Sequence, residues 1–162
     1  MDEGGEQFVR TLYPRVRGFL ELHTGDAHLA DELTQETLAR VWARWSRVRH
    51  MTNPQGYAFR IAVNLSRSWF RRRVRERRAL ARLDTTGVSD EPATAERLAT
   101  RAAMLALPRR QREVVLLRYF AGLDVAETAE TMGCTAGTVK AHTHRAMARL
   151  REQLQVSEEP RP

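Results

Sequence analysis

Cysteine is nearly absent from this sequence: Cys134 stands alone among 162 residues. A lone thiol excludes an intramolecular disulfide framework and fits a reducing compartment. Long apolar runs are missing too. The longest, Ala102 to Leu107, falls far short of the ~20 residues that span a bilayer. The opening residues Asp2, Glu3 and Glu6 are acidic rather than basic and then apolar, so no secretory signal is read. Cytoplasmic residence without membrane insertion is therefore expected. Strand signals are scarce, whereas apolar residues recur at helical spacing in almost every window, which predicts an all-α fold. At 18.6 kDa the chain suits one ordinary domain or two small helical ones, and it is too short for a large enzyme fold with a regulator attached.

What the chain has in excess is positive charge, +7 overall with a pI near 10.8, which points to a polyanionic partner. The excess is confined to residues 67–82, where eight arginines face only Glu76; the stretches on either side are neutral. Such localisation suggests a contact surface, the alternative being a solvated helix face.

Phe8, Leu12, Val16, Phe19 and Leu20 line one face of a first helix. Leu29, Leu33, Thr37 or Leu38, Val41 and Trp45 line a second, and Gly25 with Asp26 breaks the chain between them. Ser46 to Gln55 lacks periodicity and contains Asn53-Pro54, so it reads as a loop. From about Tyr57 a third helix is expected to carry Ile61, Leu65 and Trp69 inward and to run on into the arginine segment. Residues 83–95, with Gly87, Pro92 and three acids, read as a flexible linker between a domain at 5–82 and another at 96–155.

In the second domain, helical spacing resumes at Leu98, is stopped or restarted by Pro108, and ends at Gly122 after a helix from about Arg109 to Phe120. Asp124 and Glu127 have the capping-box spacing that starts a short helix. Met132-Gly133-Cys134 supplies a tight turn, and Thr135 is suited to cap a final helix reaching about Leu154. Val139, Thr143, Ala146/Met147 and Leu150 share one face of that helix; Lys140, Ala141, His144 and Arg145 share another. A short helix, a glycine turn and a longer helix make a helix-turn-helix, with Ala129 small at the crossing and Val139 buried beneath. No acid lies between Thr135 and Arg151, which suits a helix entering a phosphate-lined groove. An ordinary helical hairpin is the plainer alternative.

The segment from Leu107-Pro108-Arg109-Arg110-Gln111-Arg112-Glu113-Val114-Val115 through Gly137-Thr138-Val139-Lys140 to Ala146-Met147-Ala148-Arg149-Leu150-Arg151 resembles the C-terminal, minus-thirty-five-reading domain of bacterial sigma factors. Asp31-Glu32-Leu33-Thr34-Gln35-Glu36-Thr37 with Val41-Trp42 is similar to the polymerase-docking helix of sigma region two. Asn53-Pro54 and Tyr57-Ala58-Phe59-Arg60-Ile61-Ala62-Val63-Asn64 are similar to the melting segment that follows it. Nothing corresponds to the domains that larger sigma factors carry before or between these two, so the resemblance is to the extracytoplasmic-function class of the sigma-seventy family. Its main departure is Ala141-His142-Thr143, where a Ser-Arg-aliphatic run is commoner; this bears on the bases read.

The resemblance implies a sigma factor without catalytic residues, cofactor or metal. Asp31, Glu32, Gln35, Glu36 and Trp42 would face the clamp helices of the largest subunit of RNA polymerase core, with the flap of the second-largest subunit as a second contact. Asn53, Tyr57, Arg60, Asn64, Arg67, Arg71, Arg72 and Arg73 would serve the minus-ten element and its melting. Thr138, Lys140, Ala141, His144 and Arg145 would serve the minus-thirty-five element. Promoter DNA is the other partner, and the class allows an anti-sigma protein.

The residues support these roles physically. Glu32, Gln35 and Glu36 lie within about one turn and form an acidic patch fit for an arginine-bearing partner. Tyr57, Phe59, Trp69 and Phe70 alternate with Arg60, Arg67 and Arg71, placing aromatic planes among phosphate-binding charges, although Trp69 reads as packed rather than stacked on a base. His142, His144 and Cys134 invite a metal, but the histidine pair points to different faces. Asp31, Glu32 and Glu36 as magnesium ligands of a nuclease or recombinase lack an accompanying nucleophile motif. A helix-turn-helix regulator that never joins polymerase is the remaining alternative.

Overall fold

The computed structural model describes residues 2–79 and 94–158, and every regular element among them is helical. The chain divides into two compact units after Ser89.

The first unit is built from α1 (Glu3–Thr24), α2 (Ala27–Ala43), the single turn α3 (Trp45–Val48) and α4 (Pro54–Ala79). Asp2 starts α1 by accepting the Gly4 amide at 3.0 Å, and Glu3 and Glu6 place negative charge at the positive end of the helix dipole. Gly25 ends α1 with φ 75°, a left-handed conformation that costs a glycine little. Asp26 restarts the chain by accepting the Leu29 amide at 3.1 Å, so two residues make the corner. Leu12, Val16, Phe19 and Leu20 of α1 meet Leu29, Ala30, Leu38 and Val41 of α2, and Ala58, Phe59, Ala62 and Val63 of α4 close the core. Phe19 and Phe59 lie 5.1 Å apart between ring centroids. Each is fully buried, which stabilises the unit by about 1.5–3 kcal/mol per side chain. His23, also buried, meets Ser66 Oγ at 2.7 Å and links α1 to α4.

Three expectations require correction. Ser46 to Gln55 is not one loop. Trp45–Val48 forms a helical turn, and Pro54 begins α4, leaving only residues 49–53 irregular. The Asn53 side chain accepts the Gly56 amide at 2.8 Å, so the extended geometry that Pro54 imposes on Asn53 suits a helix cap, and proline is at home in the first helical position. Trp45 accordingly belongs to α3 rather than α2. The inward face of α4 is Phe59, Ala62, Val63 and Ser66, while Ile61, Leu65 and Trp69 are only half-buried. Small residues at 62 and 66 let α4 approach its neighbours on that side, which bulky Leu65 and Trp69 do not. Of the predicted linker, residues 83–93 lie outside the described residues; Thr94 caps α5 through the Arg97 amide at 3.3 Å, and Ala95 is already helical.

The second unit holds α5 (Ala95–Ala106), α6 (Arg109–Val115) continuing into a wider π-helical turn (Leu116–Phe120), α7 (Val125–Met132) and α8 (Ala136–Glu158). Its core is Met104, Leu107, Val114, Leu116, Leu117, Leu123, Met132, Val139 and Ala146. Gly122, at φ 72°, ends the π-helical turn, and Asp124 with Glu127 forms the expected capping box. Gly133, at φ 64°, makes the turn into α8, and Thr135 Oγ1 accepts the Thr138 amide at 3.1 Å. Ala129 and Val139 are buried where expected. Thr143, Met147 and Leu150 are half-buried, so the inward stripe of α8 is narrower than its periodicity predicts.

Arginines tie these helices together. Arg110 donates to the Met132 carbonyl at 3.1 Å, Arg112 to the Leu105 and Leu107 carbonyls at 3.0 and 3.2 Å, and Arg118 to the Leu123 carbonyl at 2.8 Å. Each satisfies carbonyls that a helix end or turn leaves without a backbone partner. Burial, and secondarily the neighbouring charge of Arg109, pushes the Arg112 guanidinium below its usual pKa.

Candidate polymerase and nucleic-acid surfaces

Helix α2 sorts its polar residues by direction. Asp31 turns toward α1, where Arg17 Nε donates to its carboxylate at 2.6 Å. Glu32, Gln35 and Glu36 point outward and are exposed, with Glu36 braced by Arg40 at 2.7 Å. Trp42 is 38% exposed, and its ring edge lies against Gly5 of α1. An outward acidic stripe therefore ends beside a partly covered aromatic.

On α4 the predicted strand-handling residues fall into register. Asn53, Tyr57, Arg60, Asn64, Arg67 and Arg71 are spaced alternately four and three apart, the repeat that keeps side chains on one helix face. The stripe runs along the flank of the buried face formed by Phe59, Ala62 and Val63. From Tyr57 to Arg71 it runs about 21 Å at the usual helical rise. Asn64, Arg71 and Arg72 are exposed; Tyr57, Arg60 and Arg67 are half-buried, with the Nε atoms of Arg60 and Arg67 shielded from solvent. Arg44 donates to Tyr57 Oη at 3.2 Å, and the Arg73 guanidinium lies 4.9 Å from the centroid of Trp69. Trp69 thus meets Phe70 edge-on and Arg73 face-on, rather than sitting deep in the core.

In the second unit Lys140, Ala141, His144 and Arg145 are all exposed on the first turns of α8, beside half-buried Thr138. Below them a groove of about 310 Å³ is lined by Arg118, Val125, Lys140, Thr143, His144 and Met147. Arg118 and Val125 come from other elements, and nothing in the linear pattern pointed to them. Arg49 was missed likewise: it bonds Asp2, 47 residues away in sequence. Among the described residues there is no grouping of three or more His, Cys, Asp or Glu able to hold a metal, and no helix is long and apolar enough to cross a membrane.

Two family profiles match this arrangement, Sigma-70 region 2 over residues 8–76 and Sigma-70 region 4 over residues 97–150. The RNA polymerase sigma-E factor of Streptomyces coelicolor is 33% identical over 153 residues, spanning 92% of this chain and 85% of that protein. The chain belongs to the sigma-seventy family, extracytoplasmic-function class. A second sigma factor of that class, EcfG of Rhodopseudomonas palustris, is 33% identical over 151 residues, 91% of this chain and 83% of its own. Among solved structures, sigma factor RpoE bound to the anti-sigma factor NepR from Bartonella quintana superposes with a TM-score of 0.83 at 27% identity, covering 96% of this chain and 99% of RpoE. CnrH, in complex with the cytosolic domain of CnrY, shares the fold at 20% identity and a TM-score of 0.62. Like its relatives, this sigma factor is a transcription initiation protein, and its two matched regions fall one in each compact unit.

Proposed function

We propose that this sigma factor recruits RNA polymerase core through the outward stripe of α2 and reads promoters with α4 and α8, supplying no catalytic group of its own. Glu32, Gln35 and Glu36, with Trp42 beside them, form the docking face for the clamp helices of the largest subunit; the flap of the second-largest subunit is the second contact. Asp31 supports that face from behind through Arg17. The stripe from Asn53 to Arg71, with Arg72 and Arg73, takes the displaced strand of the minus-ten element. Base extrusion costs a few kcal/mol, so opening needs interactions that form only after melting, and an aromatic and cationic row about 21 Å long offers them. Thr138, Lys140, Ala141, His144 and Arg145 read the minus-thirty-five element from the major groove. An anti-sigma protein is the expected regulator, by analogy with the complex of RpoE and NepR. The protein works in the cytoplasm.

The single-faced register of α4, alongside its buried face, carries this reading. It is tested by placing a photocrosslinking amino acid at Glu36, Asn64 or Lys140 in the assembled polymerase and promoter complex. Crosslinks are expected to the largest subunit, the minus-ten non-template strand and the minus-thirty-five duplex respectively. Any other pattern overturns the assignment of that element.

A further inference from the structure

The start of α1 is tied to a part of the chain that the cap does not need. Asp2 Oδ1 accepts the Gly4 amide at 3.0 Å and so begins the helix. Its second oxygen reaches across to accept Trp45 Nε1 at 3.0 Å and Arg49 Nη1 at 2.8 Å. Phe8 packs on the same indole, with ring centroids 5.1 Å apart. At Gly5 the helices approach so closely that a Cβ would stand 2.8 Å from both Trp42 Cζ3 and Trp45 Nε1. The irregular segment 49–53 is therefore fixed at both ends, by Asp2 through Arg49 at its start and by the Asn53 cap at its finish.

We infer that Asp2 is a positioning residue for promoter opening: acting through Trp45 and Arg49, it sets the geometry of the 49–53 segment that leads into the strand-handling face of α4. The inference rests on the reading of α4 as that face. Stability alone does not account for the arrangement, because the Asp2–Arg49 pair is 44% and 48% exposed at its two side chains, and surface pairs contribute little to folding. Two charge-assisted bonds to one carboxylate instead restrict which conformations the segment adopts. When only a fraction of molecules holds the competent conformation, apparent affinity falls by that fraction. The Trp45 hydrogen bond first, then the Gly4 amide and Arg49, hold the Asp2 carboxyl below its ordinary pKa, so it stays ionised near neutrality.

Asp2→Ser separates the two roles, because a serine hydroxyl still caps Gly4 but cannot reach Trp45 or Arg49. Full-length chain is combined with core polymerase on a promoter carrying 2-aminopurine in the minus-ten non-template strand. Melting temperature and core affinity should match wild type, while opening at limiting polymerase falls about five-fold as the competent fraction drops. In a cycle with Arg49→Ala the two losses should not add in full, since both remove the Asp2–Arg49 pair. Wild-type opening, strictly additive losses, or a defect explained by lost melting temperature or core binding would each overturn the inference. Asn64→Ala with Arg71→Ala, both exposed on the strand-handling face of α4, serves as the control. If it opens the promoter normally, the strand-handling reading of α4 fails and takes the inference with it. If it fails while Asp2→Ser opens normally, only the inference falls.

Discussion

Arg17 holds two helices at once: its Nε donates to Asp31 of α2 at 2.6 Å and its Nη1 to Glu21 of α1 at 3.0 Å. Asp31 is thereby tied to α1 through one carboxylate oxygen, and Glu32, Gln35 and Glu36 face outward. Asp31→Ala should lower stability by up to about 1 kcal/mol, the range for a partly exposed pair. Glu36→Arg, or Gln35 and Glu36 changed together to Ala, should leave helicity intact and weaken core binding by about 2–5 kcal/mol if the contact is buried in the complex. Circular dichroism with fluorescence-detected core binding checks both. Unchanged core affinity in the Glu36 variants removes α2 from the docking face.

The arginine run makes a salt-dependent prediction. Replacing exposed Arg71 and Arg72 by Ala should weaken promoter binding similarly across sequences and reduce the log-log salt slope by roughly 0.7–0.9 per residue. Arg73→Ala should in addition change Trp69 emission, because the guanidinium lies over that ring. A titration from low to high salt with an unaltered slope would return the run to a solvated face.

Specificity should reside on α8. Lys140→Ala and Arg145→Ala should each cost about 1–3 kcal/mol and relax preference at particular upstream positions, since both side chains can donate to guanine O6 and N7. Selection from randomised upstream sequences reads this out. Equal loss on every sequence would mean that they grip phosphate only. Thr143→Leu, which reads from periodicity as simple core filling, enters the groove beside Lys140 and His144 instead. It should therefore alter the selected sequence as well as stability.

Close packing of α1 on Trp42 and Trp45 gives a stability test away from DNA. Gly5→Ala places a methyl 2.8 Å from two indole atoms, an overpacking that should cost about 1–3 kcal/mol in urea unfolding. A neutral effect would show that the two rings yield freely.

Helix positions, the three glycine breaks, the capping box and the helix-turn-helix were legible because each is encoded within a few neighbouring residues. The exposed face of α8 with Lys140, Ala141, His144 and Arg145 was legible for the same reason, once Val139 fixed which side is buried. The inward face of α4 was not. Bulky Ile61, Leu65 and Trp69 are as periodic as Phe59, Ala62, Val63 and Ser66, and only the fit of Phe59 to Phe19 and the small residues at 62 and 66 decide between them. The short helix α3 was hidden because the groups its Trp45 meets, Asp2 and Phe8, lie on α1 and its cap. Arg110, Arg112 and Arg118 close helix ends, a role hidden from the sequence because it depends on carbonyls supplied by the fold.

As a sigma factor, this chain works as a subunit of polymerase. Purified full-length chain should be mixed with core polymerase and followed by size exclusion, then by transcription from a promoter selected with the assembled complex. A one-to-one complex that initiates only on promoters carrying both elements is the predicted result. Tight binding to duplex DNA by the chain alone, with no stoichiometric polymerase complex, would contradict it.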